Sequence, residues 1–259
     1  MLLDLDGVIW LSHVPIPGSV EAVARLRRSG RRVVFVTNNS GVRLADQEAA
    51  LASIGIPAEG DVMTSAIAAA ALVSRGQRVL VCGGPGAAEA VEAVGAVPVA
   101  GDDPAGVHVD VVMVGFHREF DYERMRIAST GARNGARLIG TNDDATYPTP
   151  DGPIPGGGAI LAAVSTAAGV TPVIAGKPYE PMAAAIGQLL DGVRPDEMLV
   201  VGDRASTDGA LAVALGCPFA LVRSGVTLPG MAVDVPVHID APDLAAVVNV
   251  LESSEEGRR

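Results

Sequence analysis

The chain has 259 residues, with 19 basic against 30 acidic side chains and a net charge of −11. Hydrophobic residues make up 49% and aromatics 3%, which excludes a disordered chain and, with no basic stripe, a nucleic-acid binder. Two cysteines, Cys82 and Cys217, form neither a disulfide framework nor a zinc site and read as small buried apolar residues.

Apolar β-branched runs alternate with alanine-rich stretches, the pattern of α/β units with parallel strands. In chain order it predicts a strand over Leu2–Leu5, a helix over Ser19–Ser29, a strand over Arg32–Val36 and helices over Arg43–Ile54 and Ser65–Arg75. A strand over Val79–Cys82, a helix over Ala87–Val94, a strand over Val109–Val114, a helix over Asp121–Asn134 and a strand over Arg137–Gly140 follow. Then come a helix over Ala159–Ala168, a strand over Val173–Ala175 and a helix over Tyr179–Leu190. The last third reads as strand Met198–Val201, helix Thr207–Leu215, strands Phe219–Val222 and Val237–Ile239, and helix Pro242–Leu251. Gly30, Gly55, Gly76, Gly95 and Gly216 stand where helices stop. The Val-Val-Phe-Val and Leu-Val-Val runs lack polar alternation, so helices are expected on both faces of those strands.

Acidic residues follow Met1 almost at once, with no basic run of the kind that opens a signal peptide. The uncharged run from Gly156 to Gly176 is interrupted by Gly169 and Pro172, so it reads as helix, turn and strand rather than a membrane span. A cytoplasmic protein without membrane or nucleic-acid partners is expected. The charged tail from Glu252 to Arg259 is expected to fray.

Four segments carry chemistry. In Asp4-Leu5-Asp6-Gly7, two aspartates two apart close a short apolar strand and face the same way. Such a pair suits a Mg2+ site, or a nucleophile beside a general acid, and it equally suits an Asp-Gly turn. In Val36-Thr37-Asn38-Asn39-Ser40, a hydroxyl, two amides and free N–H groups suit a phosphoryl oxygen or cap the next helix. In Ala175-Gly176-Lys177-Pro178, a lysine offers a point charge for a phosphate or lies at a surface turn. In Gly202-Asp203-Arg204-Ala205-Ser206-Thr207-Asp208, one acid ends a strand and a second stands at a helix start, where it caps N–H groups. By contrast, Gly83-Gly84-Pro85-Gly86 fails the dinucleotide-loop spacing, with Glu89 at its third glycine position, and reads as a plain strand-to-helix turn.

In this order the four segments resemble the signature motifs of the haloacid dehalogenase superfamily: DxD, a strand-end Ser/Thr, a Lys and GDxxxTD. Their wording is similar to the NagD-like branch, as are Thr141-Asn142-Asp143-Asp144, the Pro155-Gly156-Gly157-Gly158 turn and Ser224-Gly225-Val226. The resemblance implies an α/β fold: a Rossmann-like, doubly wound parallel core from residues 1–70 and 175–259, with an inserted α/β cap over residues 71–174. It implies Mg2+-dependent hydrolysis of small phosphate monoesters through an aspartyl-phosphate. Asp4 would be the nucleophile and Asp6 the general acid and base. Thr37, with the Asn38 backbone, would hold phosphoryl oxygens, Asn39 would join them in binding substrate, and Lys177 would neutralise charge. Asp4, the Asp6 carbonyl and Asp203 would bind Mg2+, with Asp208 behind them. Asn142 and Asp143, in a cap loop, would meet the leaving group of a small phosphorylated metabolite. Related families include cap-mediated dimers, so a homodimer through the cap is a further expectation. A phosphomutase, or a phospho-acceptor module without turnover, is the alternative.

Overall fold

The computed structural model describes residues 1–147, 149 and 152–256. The prolines at 148 and 150, part of the expected cap loop, and the last three tail residues lie outside the described residues. The chain clusters into two compact units. One comprises Met1–Thr37, Gln47–Met63 and Ile186–Arg259, and the other Asn38–Asp46 and Thr64–Ala185.

The first unit is built on a six-stranded sheet. Across it lie Ile239–Ala241, Phe219–Val222, Val200–Gly202, Leu2–Leu3, Val34–Thr37 and Val62–Thr64. Numbered along the chain, that order is 6-5-4-1-2-3, the doubly wound arrangement whose ligand crevice opens at the carboxyl ends of strands 1 and 4. Here those are Leu2–Leu3 and Val200–Gly202, which pair in parallel, Leu2 with Val200 and Leu3 with Val201. All four residues of Val34–Thr37 and of Phe219–Val222 are buried, the polar Thr37 along with the apolar residues before it. The helix Ser19–Arg28 turns Ala22, Val23 and Leu26 inward and gathers Arg25, Arg27 and Arg28 in its last turn, where cations favour the helix dipole.

The second unit holds a five-stranded parallel sheet: Val173–Ile174, Arg137–Gly140, Val111–Val114, Arg78–Cys82 and Val97–Ala100. Leu80, Val112, Val114, Leu138, Leu161 and Val164 pack its core. Cys82 and Cys217 are both buried free thiols, and burial pushes Cys82 up to about 12. The uncharged run forms the helix Gly157–Ala168 and the strand Val173–Ile174, and no helix among the described residues is long and apolar enough to cross a membrane.

Some elements depart from the sequence pattern. The strands Val62–Thr64 and Val97–Ala100 were not foreseen; the first is three residues long, and the second carries Pro98, which a strand tolerates at an edge. The helix expected over Ser65–Arg75 is regular only to Ala70, after which Leu72 and Val73 make tighter turns onto Ala69 and Ala70. The last helix continues from Leu244 to Glu256, into the first residues of the charged tail, with Val247 and Val248 buried and Glu252 paired with Arg25. All five helix-stopping glycines have left-handed φ, from 67° at Gly216 to 92° at Gly55.

Candidate active site

Three neighbouring strands of the first unit end in chemistry-bearing residues. Leu2–Leu3 leads into Asp4, whose N–H continues the ladder to the Val201 carbonyl at 2.9 Å. Val200–Gly202 leads into Asp203, and Val34–Thr37, on the other side of the first strand, ends on the buried Thr37. Past Asp4 the chain folds back at once. The N–H groups of Val8, Ile9 and Trp10 converge on the Leu5 carbonyl, and Gly7 N–H bonds the Trp10 carbonyl at 2.8 Å. Asp6 lies inside this tight return, half-buried and bridged to Trp10.

Ligand oxygens of Asp4, Asp203 and Asp208 lie within 4.8 Å of one another. Asp203 is 4% exposed and Asp208 1%. The backbone is shaped around these carboxylates. A Cβ at Gly7 would stand 2.4 Å from Asp203 Oδ2, one at Gly225 2.0 Å from the same atom, and one at Gly202 2.2 Å from the Asp208 side chain. Gly7 also needs its glycine for φ, at +88°. Val226 N–H donates to Asp203 Oδ2 at 2.5 Å, and Ser224 Oγ donates to the Gly7 carbonyl at 2.6 Å, so the Ser224–Val226 turn grips both sides. Asp208 sits in a π-helical turn, Ala205–Gly209, and accepts from Arg204 N–H at 3.1 Å. The expected side-chain cap at the start of the following helix is not formed, since that helix opens on Gly209 and Asp208 turns back to Arg204 while joining the carboxylate cluster; π turns recur at functional sites.

Three carboxylates this close repel one another, and burial of two of them deepens the penalty. A hard divalent cation taking oxygen ligands offsets both, so the donor set fits Mg2+ or a similar ion.

The second unit brings together the other motif residues. Lys177 is 3% exposed. Its N–H donates to Asn38 Oδ1 at 2.8 Å, and its carbonyl accepts from Asn38 Nδ2 at 3.1 Å. Asn39 folds its Oδ1 onto Gly41 N–H at 3.0 Å. Asn142 is buried, donating to the Asn38 carbonyl at 2.8 Å and accepting from Asp144 N–H at 3.2 Å. Asp143 is exposed and accepts from Tyr179 OH at 2.5 Å; that bond raises the Tyr179 phenol to about 12. Tyr147 stacks on Phe116 with ring centres 4.7 Å apart.

Sequence reasoning missed the Asp144–Asn38 bond, Tyr179 and the Phe116–Tyr147 stack, which depend on contacts between distant segments. The glycine-rich turn at 83–86 is a helix start whose Gly84 packs on residue 41, where a Cβ would meet the Gly41 carbonyl at 2.4 Å.

Two family models match: haloacid dehalogenase-like hydrolase over residues 1–97 and HAD-hydrolase-like over residues 174–251. An acid sugar phosphatase from Staphylococcus saprophyticus is 36% identical over 230 residues, 87% of this chain and 86% of the relative. A p-nitrophenyl phosphatase from Archaeoglobus fulgidus superposes with a TM-score of 0.85 at 30% identity, covering 96% of this chain and 97% of that one. A glycerol phosphate phosphatase from Mycobacterium tuberculosis, solved in complex with calcium, gives 0.84 at 34% identity, covering 95% of this chain and 73% of that one. The chain therefore belongs to the haloacid dehalogenase-like hydrolases, in the branch of NagD and the 4-nitrophenylphosphatases.

Proposed function

We propose that this chain is a Mg2+-dependent phosphatase of small phosphate monoesters, of the sugar phosphate, glycerol phosphate, phosphoglycolate, nucleotide or 4-nitrophenyl phosphate type, working through an aspartyl-phosphate. The observation that carries the reading is the carboxylate cluster at the carboxyl ends of the two switch-point strands. When bound there, Mg2+ supplies positive charge against the phosphate and its attacking carboxylate.

The residues divide the work as follows. Asp4 attacks phosphorus, forming an Asp4 oxygen–phosphorus bond as the bond to the leaving oxygen breaks, and Asp6 gives that oxygen its proton. Water then attacks phosphorus as Asp6 takes its proton, and the Asp4 oxygen–phosphorus bond breaks, releasing inorganic phosphate and returning Asp4 as a carboxylate. Thr37, the Asn38 main-chain N–H and Asn39 hold the non-bridging oxygens, and Lys177 adds a fixed positive charge. Asp4, the Asp6 carbonyl and Asp203 hold the metal, with Asp208 supporting them. Residues 71–174, all within the second compact unit, act as the cap. Of its loop, Asp143 is the exposed carboxylate proposed to meet the leaving group, and Asn142 contributes by shaping the Asn38 strand end.

The test is phosphate release from a panel of small esters, with Mg2+ and with EDTA. Release that EDTA abolishes and Mg2+ restores is the expected result, and the ranking of esters identifies the leaving group preferred. Release indifferent to EDTA would overturn the metal assignment. Isomerised sugar phosphate in place of free phosphate would make the chain a mutase, and a stable phosphoprotein without turnover would make it a phospho-acceptor. Asp6→Asn is expected to cut the steady-state rate by about a hundredfold or more, the general acid–base share, while the variant keeps its fold. An unchanged rate would reject that role.

A further inference from the structure

We propose that Asp144 is a positioning residue for Lys177, acting through the side-chain amide of Asn38. The kinetic consequence rests on the phosphatase reading; the structural consequence does not.

Asn38 is the pivot. Its amide engages both polar main-chain groups of Lys177, accepting from the N–H at 2.8 Å and donating to the carbonyl at 3.1 Å. A single side chain thus stands in for a neighbouring strand. The same Nδ2 donates to Asp144 Oδ2 at 2.9 Å. The arrangement has a direction. Turned end for end, the amide would set its NH2 against the Lys177 N–H and its oxygen against a carbonyl and a carboxylate. Asp144 makes that reversal costly, because a charge-assisted bond is roughly twice as strong as a neutral one.

The surroundings are built for this contact. The Asn38 carbonyl accepts from Ser65 Oγ at 2.7 Å and from Asn142 Nδ2 at 2.8 Å, while Asn142 Oδ1 accepts from Asp144 N–H at 3.2 Å. Asn142 therefore holds the pivot and its lock together. Gly176 leaves the space. A Cβ there would lie 2.6 Å from Asn38 Oδ1, 2.5 Å from the Thr141 carbonyl and 3.1 Å from Ser65 Cβ. Lysine carries its charge on a flexible stem, so the amine can be no better placed than the backbone that bears it. Since misplacing a catalytic group by about 1 Å costs on the order of a hundredfold, a backbone clamp on Lys177 has a rate consequence.

The test uses the full chain with two readouts. For Asp144→Ala, kcat is expected to fall about 10- to 100-fold with KM within about threefold, since a positioning loss is felt in the transition state. Asp144→Asn keeps an oxygen for Asn38 and should return kcat to within about threefold of wild type. The second readout is native-state amide exchange at Lys177, expected to accelerate about tenfold in Asp144→Ala and to stay near wild type in Asp144→Asn. Wild-type kcat or wild-type exchange in Asp144→Ala overturns the proposal, and so does a change in KM alone, which would make Asp144 a substrate contact.

Should Asp144→Ala fail to fold, the pair Asn38→Asp and Asn38→Asp/Asp144→Asn decides. The single change sets two carboxylates together and takes the donor from the Lys177 carbonyl, a loss that the double change shares, so their difference reads the pairing of residues 38 and 144. The double change lets the new amide donate to the new carboxylate and should recover about fivefold or more of the lost rate. No recovery overturns the coupling. If the wild-type protein releases no phosphate, the phosphatase reading fails by itself, and the exchange comparison still decides whether Asp144 holds Lys177.

Discussion

Asp4→Asn is expected to lower phosphate release by about a thousandfold or more, because it removes the proposed nucleophile and a proposed metal ligand in one step. An amide oxygen attacks phosphorus poorly and carries no charge for the cation. The substitution is close to isosteric, so the fold should survive, and stability separates chemistry from structure. In wild-type protein without metal, Asp4 adds its charge to the buried Asp203 and Asp208 within 4.8 Å. Removing that charge relieves repulsion, so metal-free Asp4→Asn should melt no lower than metal-free wild type. Wild type should gain stability as Mg2+ is added, because the ion binds the folded state, and Asp4→Asn should lose most of that gain. Thermal melts with and without Mg2+, beside the rate, check both halves. More than about a tenth of wild-type activity would overturn the nucleophile assignment. A full Mg2+ upshift in the variant would remove Asp4 from the metal site.

Much of this site is legible from sequence because parallel α/β folds put it at strand ends. An apolar run followed by an acid, at Leu3–Asp4 and Val201–Asp203, marks a carboxylate at the carboxyl edge of a sheet. What local patterns cannot carry is which strand ends become neighbours. The pairing of Leu2–Leu3 with Val200–Gly202 spans nearly the whole chain, and only topology brings Asp203 beside Asp4. The same holds for Asn38, whose partners Asp144 and Lys177 lie 106 and 139 positions away. The π turn at Ala205–Gly209 has no signature in hydrophobic period. Thr207, Asp208 and Gly209 of it read as the first turn of an α-helix, and the regular helix begins at Ala210. The final helix outruns its expected end because the Arg25–Glu252 pair and the burial of Val247 and Val248 are long-range gains that composition does not reveal.

Glycines around the carboxylates were the least legible feature, and they support the strongest structural test. Gly225 lies outside any regular element, and its φ is not left-handed, so backbone conformation does not require glycine there. Space does. A Cβ would fall 2.0 Å from Asp203 Oδ2, 2.6 Å from its Cγ and 2.7 Å from Gly7 Cα. Gly7 is backbone and cannot yield, and Asp203 is 4% exposed with its Oδ2 held by Val226 N–H. Gly225→Ala must therefore push the Asp203 carboxylate aside. Overpacking of this kind costs about 1–3 kcal/mol of stability. Displacing a ligand by disturbing its support should weaken Mg2+ about 10- to 100-fold, read as the concentration giving half-maximal activity. Gly187→Ala is the control. Gly187 is exposed in the helix Glu180–Leu189 with nothing within 4 Å of the added carbon, so alanine should stabilise by about 0.5–1 kcal/mol and leave the metal requirement alone. A Gly225→Ala protein with wild-type Mg2+ dependence would mean that Asp203 does not hold the ion, whatever the melting temperature. Loss of stability with an intact metal requirement would make the Ser224–Val226 turn a packing element only. The expected outcome is both losses together, because the carboxylate that a new methyl displaces is the one proposed to hold the metal.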